Sequence, residues 1–388
     1  MEYQILRPPP RRRRRWWTVA VVVVVAGAVA GGAFVVGRGR APASSSRSTT
    51  AGPAGSVGTR QLAVLSTVPA SGATGVPSDQ VVTVDLSSAV ATTSGLPVFS
   101  PPVAGTWRRG GRTSLVFSAA APFVPTTTET LTVPAGPQGV RSAAGSTLAT
   151  PVTVSFVVAQ ASTERLQQLL AELDYLPVSF TPSGPTAPAA TATAQPGAFA
   201  WRWAGLPPDF TSLWTEGTEN VITKGALMGF ENGHGLPVDG LAGPQVWTAL
   251  LGDAAAGRID TSPYTDVLVS KQVPETLTLF QDGSPVLANV SVNTGAPGAD
   301  TADGTFPVFE HVQSSRMTGT NPNGTTYDDP NVPWASFFNG GDALHGFVRA
   351  SYGTPQSNGC VEMPVAVAGQ VWPLTPIGTP VTVIGPSS

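Results

Sequence analysis

The chain has 388 residues, a net charge of −3 and only 12% charged side chains, with 43 Gly and 38 Pro. That length exceeds one ordinary domain, and the Gly and Pro content excludes a protein of long helices in favour of short strands, turns and linkers. The charge is divided: residues 1–47 hold nine Arg against one acid, Glu2, a local +8 that leaves −11 for the rest. A basic run beside an apolar segment, ahead of an acidic remainder, speaks against nucleic acid as a partner.

Residues 1–15, with Arg11 to Arg15, read as a basic cytoplasmic segment. Trp16 to Gly37 follows without a charge, and as a helix it reaches roughly 33 Å, enough to cross a bilayer core. The expectation is a single-pass transmembrane anchor over 16–37, N-terminus inside, with everything beyond on the cell-wall side of the cell membrane. A cleaved signal peptide competes, since Ala28-Val29-Ala30 resembles a processing site, but the apolar run is longer than a usual signal core. Residues 38–60 form a flexible linker rich in Ala, Ser and Gly.

Over 61–158 the chain changes to short alternating runs: Val81 to Leu86, Ser114 to Phe117, Thr130 to Val133 and Val152 to Phe156, with a turn at Gly105-Thr106-Trp107. This is the pattern of a small antiparallel β-sandwich. It resembles the bacterial immunoglobulin-like domains of envelope proteins and carries no cluster of catalytic side chains, so a spacer role is expected.

Residues 160–255 turn helical. Leu166, Leu169, Leu170 and Leu173 recur at helical spacing until Pro177, a second helix fits Val221 to Glu231, and a third holds Val246 to Leu251. The stretch 178–212 reads as a low-complexity loop insertion. His234 tempts as a metal ligand, but the next His is 77 positions away and no Cys is near, so a capping or solvated role is expected. The run Gly235 to Leu251 resembles the hallmark of the three-helix peptidoglycan-binding module.

From 264 to 385 strands return: Asp266 to Ser270, Thr276 to Phe280, an Asp282-Gly283 hairpin turn, then Pro285 to Val292. Near the end lie His345-Gly346 and Ser357-Asn358-Gly359-Cys360. Cys360 is the single cysteine, so it forms no disulfide within the chain and is either a reactive thiol or a small buried hydrophobe. A thiol needs a base, and an imidazole 15 residues upstream can be brought beside it by one loop. Gly359 permits a tight turn in which its amide and that of Cys360 both face a carbonyl oxygen.

His-Gly, a loop and Ser-x-Gly-Cys-Val resemble the signature of L,D-transpeptidase catalytic domains. Thr301 to Phe306 and the aromatic stretch Trp334 to Gly341 resemble two further family features. The resemblance implies a multidomain protein. Its parts would be a transmembrane helix, an Ig-like sandwich, a small three-helix module and a mostly-β catalytic domain of the YkuD type. It implies a cysteine acyltransferase in which Cys360 is the nucleophile, His345 the general base and Gly346 the backbone orienter of His345. Asn358, Gly359 and Ser357 would shape the oxyanion and substrate side. The reaction it implies takes a peptidoglycan tetrapeptide stem, releases D-alanine, leaves a thioester and passes the acyl group to a second stem. Carbapenem reactivity follows, and no cofactor or metal is called for. An L,D-carboxypeptidase or a non-catalytic peptidoglycan-binding protein are the alternatives. Two departures stand out: Asn358 occupies the place of a usual second His, and Glu362 that of a usual Arg or Asn.

Overall fold

The computed structural model describes residues 61–184 and 189–385. The expected basic segment, membrane anchor and linker (1–15, 16–37 and 38–60) lie outside these residues. Among the described residues no helix is long and apolar enough to cross a membrane.

The first domain is built from β1 (Val64–Val68), β2 (Val82–Leu86), β3 (Val98–Phe99), β4 (Gly105–Arg109), β5 (Ser114–Ala119), β6 (Thr128–Val133) and β7 (Val152–Val157). Two sheets, ordered β1-β2-β5-β4 and β3-β6-β7, enclose a core that includes Val84, Leu131 and Phe156. Strands β2 and β6 alternate buried with more exposed side chains, as one-sided burial requires, whereas β5 buries Leu115, Val116 and Phe117 in succession. The Gly105-Thr106-Trp107 segment, expected as a turn, is strand β4, and Trp107 packs its ring 5.2 Å from that of Phe117.

The helical module comprises α1 (Thr163–Glu172), β8 (Val178–Pro182), β9 (Gly197–Trp201), the short α2 (Pro208–Thr211), α3 (Val221–Gly233) and α4 (Pro244–Ala256). The expected loop insertion is therefore replaced in part by an antiparallel hairpin, β8 with β9. Phe180, Phe199 and Trp201 turn it into an aromatic flap, with Trp214 packed on the latter two. Buried polar side chains hold the rest of the insertion: Arg165 donates to the carbonyls of Thr191 (2.9 Å) and Ala189 (3.0 Å), and Gln168 to that of Gln195 (2.8 Å). Composition conceals such bonds, because they involve backbone atoms of the low-complexity stretch.

The C-terminal domain carries β10 (Thr265–Ser270), β11 (Thr276–Gln281), β12 (Ser284–Ser291), β13 (Gly304–Pro307), β14 (Glu310–Thr320), β15 (Thr326–Asn339), β16 (Asp342–Gly346), β17 (Val361–Met363), α5 (Val365–Val371) and β18 (Pro380–Ile384). One sheet runs β12-β11-β10-β18-β13, the other β14-β15-β16-β17. Asp282 and Gly283 both have positive φ (48° and 69°), the requirement of a two-residue turn that matches strand twist. Val269, Leu279 and Val381 from the first sheet meet Phe338, Leu344 and Val361 from the second in one buried core. Helix α3 rests on β13 and β18, which joins the helical module to this domain.

Candidate active site

Strands β16 and β17 run parallel, with Leu344 beside Val361, His345 beside Glu362 and Gly346 beside Met363. Paired residues share a face, and so do residues two apart. His345, Glu362 and Cys360, which immediately precedes β17, thus line a single small pocket together with Tyr327, Asp329 and Arg349.

The His345 ring is 3% exposed, and its Nδ1 lies 3.1 Å from the carbonyl oxygen of Gly346. A carbonyl only accepts, so Nδ1 holds the proton and Nε2 of the neutral ring is the basic nitrogen. Burial pulls the His345 pKa below its ordinary 6.5, against the opposing pull of the Gly346 carbonyl and the Glu362 charge. Cys360 is half-buried, with Sγ 3.6 Å from the carbonyl of Gly341. Burial pushes its thiol up to about 12; the Ala343 amide opposes the shift, and the charges of Asp342 and Glu362 add to it. Both shifts favour a neutral thiol and a neutral imidazole over an ion pair in the resting site.

The turn before Cys360 is fixed from three sides. Ser357, 1% exposed, donates its hydroxyl to the Cys360 carbonyl at 2.6 Å and accepts the Gly359 N–H at 3.2 Å. Thr301 donates to the Gly359 carbonyl at 2.8 Å while accepting the Gly295 N–H at 2.9 Å. Gly359 has φ +108°, and a Cβ there would collide with Oδ1 of Asp342. Only glycine meets both demands.

Two expected placements change. The Gly359 amide, read from the sequence as an oxyanion donor, is directed at Ser357 Oγ, because a serine two residues back closes a local side-chain turn. Of the two amides expected to face a carbonyl, that leaves the one on Cys360. Asn358 lines the pocket, but its Nδ2 donates to Oδ1 of Asn321 at 2.7 Å, at the tip of the β14–β15 hairpin. His234, in the helical module, is the C-cap of α3, with Nδ1 2.8 Å from the Phe230 carbonyl and Nε2 2.7 Å from Asp253. Among the described residues no group of three or more His, Cys, Asp and Glu is placed to hold a metal.

Sequence reasoning missed Arg349. It grips Glu362 through two bonds, 2.7 and 2.8 Å, and its guanidinium lies 4.7 Å above the Phe347 ring. A signal was present: Arg349 and Glu362 are the charged residues of the stretch 346–363. Asn293, fully buried, was missed too. Its Oδ1 accepts the amides of Gly353 (3.0 Å) and Thr354 (3.3 Å), and its Nδ2 donates to the Ser351 carbonyl (3.2 Å), which pins the His-to-Cys loop.

The family model of the L,D-transpeptidase catalytic domain (YkuD) matches residues 265–383, and that of the bacterial Ig-like domain matches residues 58–158. No curated protein matches the chain. Among solved structures, an L,D-transpeptidase from Mycobacterium smegmatis is 14% identical, covering 84% of this chain and 100% of that one, with a TM-score of 0.28. L,D-transpeptidase 3 from Mycobacterium tuberculosis, in complex with a faropenem-derived adduct, is 13% identical over 83% of this chain and 97% of that one, at a TM-score of 0.29. The catalytic domain of the E. faecium L,D-transpeptidase is 25% identical, covering 32% of this chain and 100% of that one, at 0.29.

Proposed function

We propose that this chain, whose residues 265–383 are an L,D-transpeptidase catalytic domain and residues 58–158 a bacterial Ig-like domain, cross-links peptidoglycan through a thioester on Cys360. The observation that carries the reading is the shared pocket of Cys360 and His345, with the imidazole tautomer set by Gly346.

Cys360 Sγ attacks the carbonyl carbon that precedes the terminal D-alanine of a donor tetrapeptide stem. As the S–C bond forms, the thiol proton passes to Nε2 of His345. Because the thiol is held neutral, this transfer accompanies attack rather than preceding it. The tetrahedral adduct collapses, the C–N bond breaks, and the leaving D-alanine nitrogen takes the proton from Nε2. An amine of a second stem then attacks the thioester carbonyl and gives a proton to Nε2. The C–S bond breaks, and the departing sulfur recovers that proton. The Cys360 amide is assigned as the backbone donor to the developing oxyanion, a contribution typically of ~2.7–4 kcal/mol. The Ig-like domain and the linker 38–60 act as spacers between an anchor over 16–37 and the wall.

The test is incubation of the chain with a disaccharide-tetrapeptide, followed by mass spectrometry of products and assay of free D-alanine. Dimer formation with stoichiometric D-alanine, both lost in Cys360→Ala, supports cross-linking. D-alanine without dimer indicates an L,D-carboxypeptidase, and release that survives Cys360→Ala contradicts the reading.

A further inference from the structure

One wall of the Cys360 pocket comes from the β14–β15 ribbon. Regular pairing there sets Asp329 against Met317 and Tyr327 against Gly319. Residues two apart on a strand share a face, so Tyr327 and Asp329 line the pocket with Met317, while Asp328 points away and pairs with Arg316 in solvent. A Cβ at Gly319 would collide with the Tyr327 ring, so the glycine gives that ring its place across the ribbon.

Asp329 is half-buried and takes part in no ion pair among the described residues. The one cation among the residues lining the pocket is Arg349, and Glu362 holds its Nε and Nη2. With His345 neutral, the pocket carries one negative charge in excess, and Asp329 is the carboxylate left without a partner. Its charge acts on His345, Arg349 and Tyr327, and Tyr327 also responds to a charge on Cys360. The phenol thus neighbours both the nucleophile and the unpartnered carboxylate.

The residue whose carbonyl Cys360 attacks brings its own side chain into this pocket. An ammonium on an unbranched apolar stem complements the wall, with the charge at Asp329 and the stem along Tyr327 and Met317. A carboxylate beside that ammonium would instead face both Asp329 and Glu362, a like-charge contact in a narrow site. We infer that Asp329 selects the acyl donor by binding the side-chain ammonium of the residue that becomes the thioester. It favours a lysine-type side chain over a diamino acid with a free carboxylate at that end. The inference rests on the reading of Cys360 as the site where a stem peptide is attacked, and it adds which stem peptide is taken.

The test uses the full chain carrying Cys360→Ala, so that no peptide is consumed, and calorimetry with acetyl-L-Ala-γ-D-Glu-X-D-Ala. X is L-Lys, Nε-acetyl-L-Lys or meso-diaminopimelate. The L-Lys peptide is expected to bind about tenfold or more tightly than either of the others, and Asp329→Asn in the same background to bring all three within about threefold. A merely structural role for Asp329 would weaken the three together and keep their ratios. That result, equal affinities before the Asp329 change, or no measurable binding of the L-Lys peptide would each overturn the inference. Release of D-alanine from the L-Lys peptide by the chain with Cys360 intact is measured in parallel. Its absence beside intact discrimination would contradict the thioester reading and still support Asp329 as the cation-binding residue.

Discussion

Arg349 holds the carboxylate of Glu362 through Nε and Nη2, at 2.7 and 2.8 Å, on the strand position directly opposite His345. Glu362 is 4% exposed, so its charge is tolerable only with that partner. Arg349→Met strands the carboxylate and is expected to cost about 3 kcal/mol in urea unfolding. Glu362→Gln leaves Arg349, which reaches solvent, and is expected to cost about 1 kcal/mol. Equal losses would show that the pair is not the buried constraint described here. Arg349→Met also removes a charge that lowers the His345 pKa and leaves Glu362 to raise it, so the acid limb of activity moves to higher pH.

The pH dependence of the parent follows from two shifts of opposite sense. His345 is lowered from 6.5, so the base stays neutral, and activity is retained, below pH 6.5. Cys360 is raised to about 12, so in the absence of substrate its alkylation by iodoacetamide climbs with pH well past 9. An alkylation rate that is flat from pH 7 upward would reveal a preformed thiolate and contradict the neutral resting pair.

Gly359→Ala places a Cβ against Asp342 Oδ1 at a left-handed φ of +108°, so acylation of Cys360 is expected to fall by at least a hundredfold. Thr301→Val removes the bond to the Gly359 carbonyl and leaves the buried Gly295 amide unmatched, an expected cost of ~1–3 kcal/mol. Its acylation rate should fall less than that of Gly359→Ala, which stopped-flow fluorescence of the reaction with a carbapenem can rank.

Asp266 is a buried carboxyl in β10 with Oδ1 unmatched, and burial raises its pKa from 3.8 to about 7. A group raised on folding supports stability below its unfolded pKa and loses that support as pH climbs through the folded value. The chain is thus expected to lose stability between pH 4 and 7 from this site, by on the order of 4 kcal/mol at most. Asp266→Asn should flatten that slope in thermal unfolding from pH 4 to 8, and an unchanged slope would assign it elsewhere.

The sandwich strands and the β10–β12 meander are legible in the sequence because their apolar residues alternate between turn residues, as in Val82 to Leu86 and around Asp282-Gly283. The β14–β15 hairpin was not, since Gln313 to Thr320 and Thr325 to Asp329 show almost no apolar period and one face of the ribbon is exposed. The β8–β9 hairpin was hidden by the Ala, Thr and Pro around it, and the segment between its strands is held by Arg165 and Gln168 of α1, 24 to 27 positions away. At the site, His345 and Cys360 could be picked out from local spacing, and Gly346 and Ser357 only through the family resemblance. Arg349, Asn293 and Thr301 act through bonds to residues 13 to 61 positions away, which local spacing does not encode.

Intact-mass spectrometry of the chain mixed with imipenem tests most directly whether Cys360 is an acylable nucleophile served by His345. One drug-sized adduct is expected, absent in Cys360→Ala and formed ~10²–10⁴-fold more slowly in His345→Ala. A folded parent protein that takes up no adduct, or an adduct that persists in Cys360→Ala, would contradict it.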